Sequence, residues 1–133
     1  MRETRVAYEV VTPLSFEQAA ARCREELAKR GFGVLTEIDI QAKLAEKLGV
    51  AREPYLILGA CHPPSAHRSL EAVPEVGVLL PCNVTVSREG GQTVVRAMNP
   101  NAALQMFDNA ELATTAAEVG RSLVEVVEAV ERG

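Results

Sequence analysis

Apolar and polar positions recur along the chain with two periods, and the changes between them divide it into ten elements. Residues 6–11 (V-A-Y-E-V-V) are rich in β-branched and aromatic types and predict an opening strand, which Pro13 ends. Ser15 and Gln18 have the spacing of a capping box. Phe16, Ala19, Ala20, Cys23 and Leu27 then recur at helical spacing up to Gly31, predicting a first helix with one apolar stripe. Residues 33–38 read as a second strand. Asp39 suits the N-cap of a short helix with Ile40, Leu44 and Leu48 on one face and Gly49 as its stop. Residues 55–60 are nearly continuous in apolar character and predict a strand buried on both faces. Pro63 and Pro64 suit the first turn of a helix reaching about Ala72, with Ala66, Leu70 and Val73 inward and Pro74 as its end.

Residues 76–80 predict the start of a fourth strand, which Pro81 interrupts, implying a bulge, a bend or an edge, before it resumes at Val84. Residues 84–86 and 93–98 alternate across a Glu89-Gly90-Gly91 turn and predict a hairpin. A turn at Asn99-Pro100-Asn101 leads to a short helix over 102–106. Asp108 and Glu111 form the Asp variant of a capping box. The last helix carries Leu112, Ala116, Val119, Leu123, Val126, Val127 and Val130 on one side, with Glu125, Glu128, Glu131 and Arg132 on the other. Gly120 inside that helix costs about 1 kcal/mol against alanine, which predicts a close crossing over the sheet. With no linker or low-complexity segment, residues 1–133 read as one α+β domain. Its sheet is mainly antiparallel and carries two long helices on one face.

Composition narrows the function classes. The chain is 47% hydrophobic and 24% charged, with three Phe, two Tyr and no Trp, so its core must be built from Val, Leu, Ile and Ala. A net charge of −4 and the lack of any basic run argue against nucleic acid and against anionic membrane surfaces as partners. Three cysteines, none in a C-x-x-C pair, fit reduced thiols in a cytoplasm better than a disulfide framework. The N-terminus lacks the apolar stretch of a signal peptide, and no apolar run approaches the length of a membrane span.

Candidate chemistry gathers in residues 54–86, which hold Cys61, Cys82, both histidines and five of the seven prolines. If the strands carrying the two cysteines share a sheet, Cys61, His67 and Cys82 converge. Thiolates and imidazole suit zinc or copper(I), with Asp39, Glu37 or His62 as a fourth ligand. Alternatively, Cys61 stands just ahead of a helix start, where a thiol is activated, with His67 one turn away and Cys82 able to resolve it. A third option is an apolar ligand held between sheet and helix. Cys23, on an apolar stripe, reads as a small buried hydrophobe. Asp39 reads better as a helix cap and Glu37 as a solvated residue than as a catalytic pair.

The stretches G-F-G-V-L-T-E-I-D-I (31–40), P-Y-L-I-L-G-A-C (54–61) with Ala66-His67, and V-L-L-P-C-N-V (78–84) resemble the domain-of-unknown-function 302 family, in order and spacing, over nearly the whole chain. The resemblance implies a compact fold similar to the TATA-binding-protein class, an antiparallel sheet with two main helices in a β-α-β(4)-α arrangement. It brings no established activity. Members often have Asn after the turn cysteine where this chain has His62, which favours Cys61, His67, Cys82 and the Glu37/Asp39 pair as site residues. DNA binding does not come with the fold, because this chain is acidic and poor in intercalating aromatics.

The favoured reading is a cytoplasmic homodimer that binds a small ligand or a metal ion, zinc or copper, at the Cys61/His67/Cys82 end of the sheet, with Asp39 as a further candidate ligand. The alternatives are a thiol-dependent enzyme or redox protein with Cys61 as its reactive cysteine, and a structural or interaction homodimer without an active site. The motifs alone do not decide between an enzyme and a binding protein.

Overall fold

A computed structural model describes all residues, 1–133. Six antiparallel strands form one sheet: β1 (Arg2–Glu3), β2 (Ala7–Thr12), β3 (Gly33–Asp39), β4 (Tyr55–Cys61), β5 (Cys82–Glu89) and β6 (Gln92–Met98). Their spatial order is β1-β2-β6-β5-β4-β3. The helices are α1 (Phe16–Lys29), α2 (Ile40–Leu48), α3 (Pro63–Ala72), α4 (Pro100–Leu104) and α5 (Ala110–Arg132). The α+β architecture expected from the residue pattern is therefore present.

Side-chain alternation decides which face of the sheet is covered. In register, Tyr8 lies opposite Ala97, Val10 opposite Val95, Val84 opposite Ala97 and Leu58 opposite Val84. All of these point to one side, where α1 contributes Ala19, Ala20, Cys23 and Leu27 and α5 contributes Val119, Leu123, Val126, Val127 and Val130. Each fully buried Leu or Val in this layer stabilises the fold by about 1.5–3 kcal/mol relative to exposure. Ser15 and Gln18 close the predicted capping box on α1. The β5–β6 hairpin turns through Gly90 and Gly91 at φ 57° and 82°, the two left-handed positions that a two-residue turn of this hand requires. The expected close crossing at Gly120 is also present: a Cβ there would lie 3.0 Å from both Tyr8 Oη and Asn101 Nδ2.

Five local expectations are overturned, one of them the cap of α5, where Asn109 and not Asp108 accepts from the Leu112 N–H at 2.9 Å. Residues 76–80 are not a strand, because Pro74–Leu79 form a 3₁₀ helix. Val73, Val76 and Leu79 recur every third residue and pack with Leu104, Leu112 and Ala116, so the apolar run serves a second small core. After the cis Leu80–Pro81 peptide, β5 begins at Cys82. The strand at 55–61 is deeply buried on the helix-facing side and only partly covered on the other, where Gly59 alone is buried. Leu58 and Ala60 face the helices, whereas Tyr55 and Ile57 are half-buried on the other side. In α3 the buried positions are Ser65 and Ser69, and Leu70 is 41% exposed. The opening strand starts one residue late, since Val6 is exposed, and β1 adds a short edge pairing that the pattern did not suggest.

Candidate functional site

Cys82 opens β5 rather than ending a strand, yet the two cysteines still come to one end of the sheet. Strands β4 and β5 run antiparallel with Ala60 opposite Cys82, so the last residue of β4 and the first of β5 are neighbours. Above that end, α3 leaves the sheet and packs beside α5, while the 3₁₀ segment and α4 close the far side. A cavity of about 250 Å³ remains between them.

The cavity persists because small residues stand where larger ones would fill it. Ala60, Cys61 and Cys82 line it from the sheet, Ser65, Ala66 and Ser69 from α3, and Ala116 from α5. Leu80, Pro81 and Leu104 complete the wall, and the exposed Leu35 and Leu70 stand at its rim. Eleven of the 17 lining residues are hydrophobic, so apart from the two thiols the polar side chains are limited to His62, Ser65, Ser69 and Thr115. The space is partly open to solvent, and an apolar pocket of this size with a few polar groups on its wall has the usual form of a small-molecule site.

The polar groups are themselves organised. His62 is the N-cap residue of α3, and its Nδ1 shares a 2.7 Å hydrogen bond with Ser65 Oγ. Phe32 packs against the imidazole with ring centroids 5.3 Å apart, which holds the ring's orientation. Ser69 Oγ donates to the Ser65 carbonyl at 2.8 Å and so spends its proton inside the helix. Arg68 Nη2 approaches Ser65 Oγ at 3.5 Å but is bound to Glu118 at 2.9 Å.

The thiols differ in access. Burial pushes the Cys82 thiol up to about 11, with the neighbouring Cys61 adding to the shift, and burial pushes Cys23 up to about 12. Both are therefore neutral thiols at physiological pH. Cys23 lies in the α1 core layer, as its place on the apolar stripe implies. Cys61 is half-buried, the most accessible of the three.

The proposed metal set is not brought together. His67 is exposed and faces a separate polar cleft between α3 and α5, lined also by Glu71, Glu111 and Glu118. It points away because α3 turns Ser65 and Ser69 inward, and position 67 falls on the opposite side. Asp39 lies at the other end of β4, opposite Leu56, and its carboxylate caps α2 by accepting from the Ala42 N–H at 2.9 Å. Glu37 accepts two hydrogen bonds from Arg24, at 2.7 and 2.9 Å, and the guanidinium holds its carboxyl below the usual range. No group of three or more His, Cys, Asp or Glu side chains is placed to hold a metal ion.

His62, a candidate fourth metal ligand on the sequence, stands at the cavity, joined there by Ser65 and Ser69, which no sequence motif marks. The available signal was the spacing: His62, Ser65 and Ser69 recur at i, i+3 and i+7, which places them on one helix face. No helix is long and apolar enough to cross a membrane.

No curated protein matches the chain. A crystal structure of an uncharacterised conserved DUF302 protein from Bacillus stearothermophilus is similar, with a TM-score of 0.88 and 30% identity over 93% of this chain and 97% of that one. The family model described as "Domain of unknown function DUF302" matches residues 8–130. On the fold, the alignment of nearly the whole chain and this match, the protein belongs to the domain-of-unknown-function 302 family.

Proposed function

We propose that this protein binds a small apolar molecule in the cavity at the Cys61/Cys82 end of the sheet. The observation that carries the reading is the 250 Å³ space itself, walled mainly by hydrocarbon in a fold otherwise packed around fully buried leucines and valines. An apolar void of about 150 Å³ accommodates benzene, so this one suits a substituted ring or a branched chain of similar bulk. Small residues at Ala60, Ser69 and Ala116 keep the space open, and Leu35 and Leu70 offer an apolar entrance.

Toluene tests this directly. Titrated into the protein and followed by methyl NMR, it should shift the Leu80, Leu104 and Val119 methyl signals together and leave those of Val10 and Val95 unmoved. Ala116→Leu, which places a larger side chain into the space, should abolish the shifts. Toluene that perturbs no cavity methyl, or perturbs them equally in Ala116→Leu, refutes the reading.

A metal-ion function is less well supported, since Asp39 and His67 lie away from Cys61 and Cys82. The second reading, a reaction at Cys61, has one observation in its favour: Cys61 lines the same cavity with partial access. It predicts that a small electrophile labels Cys61 and that toluene protects it. Rapid labelling unaffected by toluene separates a reactive thiol from a cavity function.

A further inference from the structure

We infer that the cavity selects neutral molecules that join an apolar body to a single hydroxyl or carbonyl group, and that the His62–Ser65 pair receives that group. This rests on the cavity-binding reading above and adds the chemistry of the ligand's polar end.

Ser65 is 5% exposed and belongs to the cavity wall, and its Oγ lies 2.7 Å from His62 Nδ1. A hydroxyl has one proton to donate and two lone pairs to accept with. If Nδ1 carries its proton and donates to Ser65, the serine proton is free for a ligand acceptor. If the serine donates to Nδ1, one lone pair faces Arg68 Nη2 at 3.5 Å and the other remains for a ligand donor. Either tautomer leaves hydrogen-bonding capacity at a buried atom beside an apolar space. Ser69 has spent its proton on the Ser65 carbonyl, so it can accept from a ligand hydroxyl but has nothing to donate to a carbonyl. Thr115, on α5, is the remaining polar side chain of the wall and lacks the histidine partner.

Charge is disfavoured at the same point. A carboxylate entering the cavity sheds its water and needs a cation in return. The nearest guanidinium, Arg68, is engaged by Glu118 at 2.9 Å and stands 3.5 Å from Ser65 Oγ. The site therefore matches a neutral polar group and not an acid.

The experiment compares toluene, benzyl alcohol and benzoate by calorimetric or NMR titration against the full chain and against Ser65→Ala and Thr115→Val. Removing one hydrogen-bond partner of a buried group costs the alcohol about 5–20-fold in affinity. Ser65→Ala should therefore weaken benzyl alcohol by that factor and leave toluene within about twofold, whereas Thr115→Val leaves the ratio of the two unchanged. In the unmodified protein, benzyl alcohol should move the His62 imidazole nitrogen resonances and toluene should not, a readout that survives if Ser65→Ala folds poorly. Benzoate should bind at least tenfold more weakly than the alcohol. Toluene binding with an alcohol preference that Ser65→Ala leaves intact, or with benzoate as the tightest probe, overturns this inference but keeps the cavity reading. Binding of none of the three overturns both.

Discussion

Gly59 lies midway along β4, opposite Asn83 of β5, on the sheet face away from α1 and α5. A Cβ added there would lie 2.3 Å from Thr36 Oγ1 on β3 and 3.0 Å from Pro81 Cγ. The first distance is far inside van der Waals contact, so Thr36 must rotate or the strands must separate. Overpacking of this kind costs about 1–3 kcal/mol, and the entropy that alanine removes from the unfolded chain offsets about 0.4–1 kcal/mol of it. Gly59→Ala should therefore destabilise by about 1–2 kcal/mol, a fall of roughly 4–8 °C in Tm for a domain of this size. Thr36 is exposed, and Thr36→Ala alone should stay within about 0.5 kcal/mol of the parent. The double variant should recover most of the loss, with a coupling energy of about 1 kcal/mol or more between the two sites. Urea unfolding of the four proteins, monitored by far-UV circular dichroism, closes the cycle. A Gly59→Ala protein as stable as the parent, or a double variant no better than Gly59→Ala, refutes the reasoning. The position matters for the site because the same contact seats Pro81, the residue that leads the chain from the cavity wall into Cys82.

Further outcomes follow from the charges and thiols. With iodoacetamide at pH 8, mass spectrometry of the folded protein should find Cys61 labelled first, with Cys23 and Cys82 protected until the chain is unfolded; equal labelling of Cys82 contradicts the assignment of its thiol to about 11. Glu89 accepts from Arg96 and from Ser87, and these bonds, Arg96 first, hold its carboxyl down at about 2. A carboxyl lowered in the folded state stabilises fully above its unfolded value near 4.5 and loses that contribution as pH falls towards 2. Because Glu89 is 40% exposed, the contribution is discounted to about 1 kcal/mol. Arg96→Leu should thus flatten the acid limb of stability between pH 4.5 and 2, and an unchanged limb argues against the pairing. Leu123, fully buried between α5 and the sheet, should cost about 2–5 kcal/mol on truncation to alanine, and a loss below 1 kcal/mol contradicts the core assignment.

Much of the fold is legible in local patterns. The Ser15–Gln18 capping box, the Asp39 cap, the Gly90-Gly91 hairpin and the apolar stripe of α5 all depend on residues close in sequence, where spacing and physical cause coincide. The failures occur where tertiary contacts choose between periods. Val76-Gly77-Val78-Leu79-Leu80 satisfies a buried strand as well as it satisfies a 3₁₀ turn. What decides is a second small core supplied by Leu104, Leu112 and Ala116 from α4 and α5, well beyond the reach of local spacing. The orientation of α3 is similar. Leu70 has the side chain expected to turn inward, but α5 packs against the serine face, leaving Leu70 at the cavity rim. That rotation also separates His67 from the cysteines and brings His62 to the cavity. The convergence of Cys61 and Cys82 was legible, though for a different reason: antiparallel register joins the end of one strand to the start of the next. The cavity was not, because a void is a property of what several elements fail to fill.

Whether that space takes a guest is the most direct test of ligand binding at the Cys61/Cys82 end of the sheet. A crystal of the protein soaked with toluene and refined against an unsoaked control provides the measurement. A binding cavity should show ring-shaped density between Leu80, Leu104 and Val119, in contact with Ala116, with the main chain of β4 and α5 unmoved. A cavity that stays empty while toluene settles elsewhere, or that has collapsed by inward movement of Leu70 and Leu80 in the unsoaked crystal, contradicts ligand binding there.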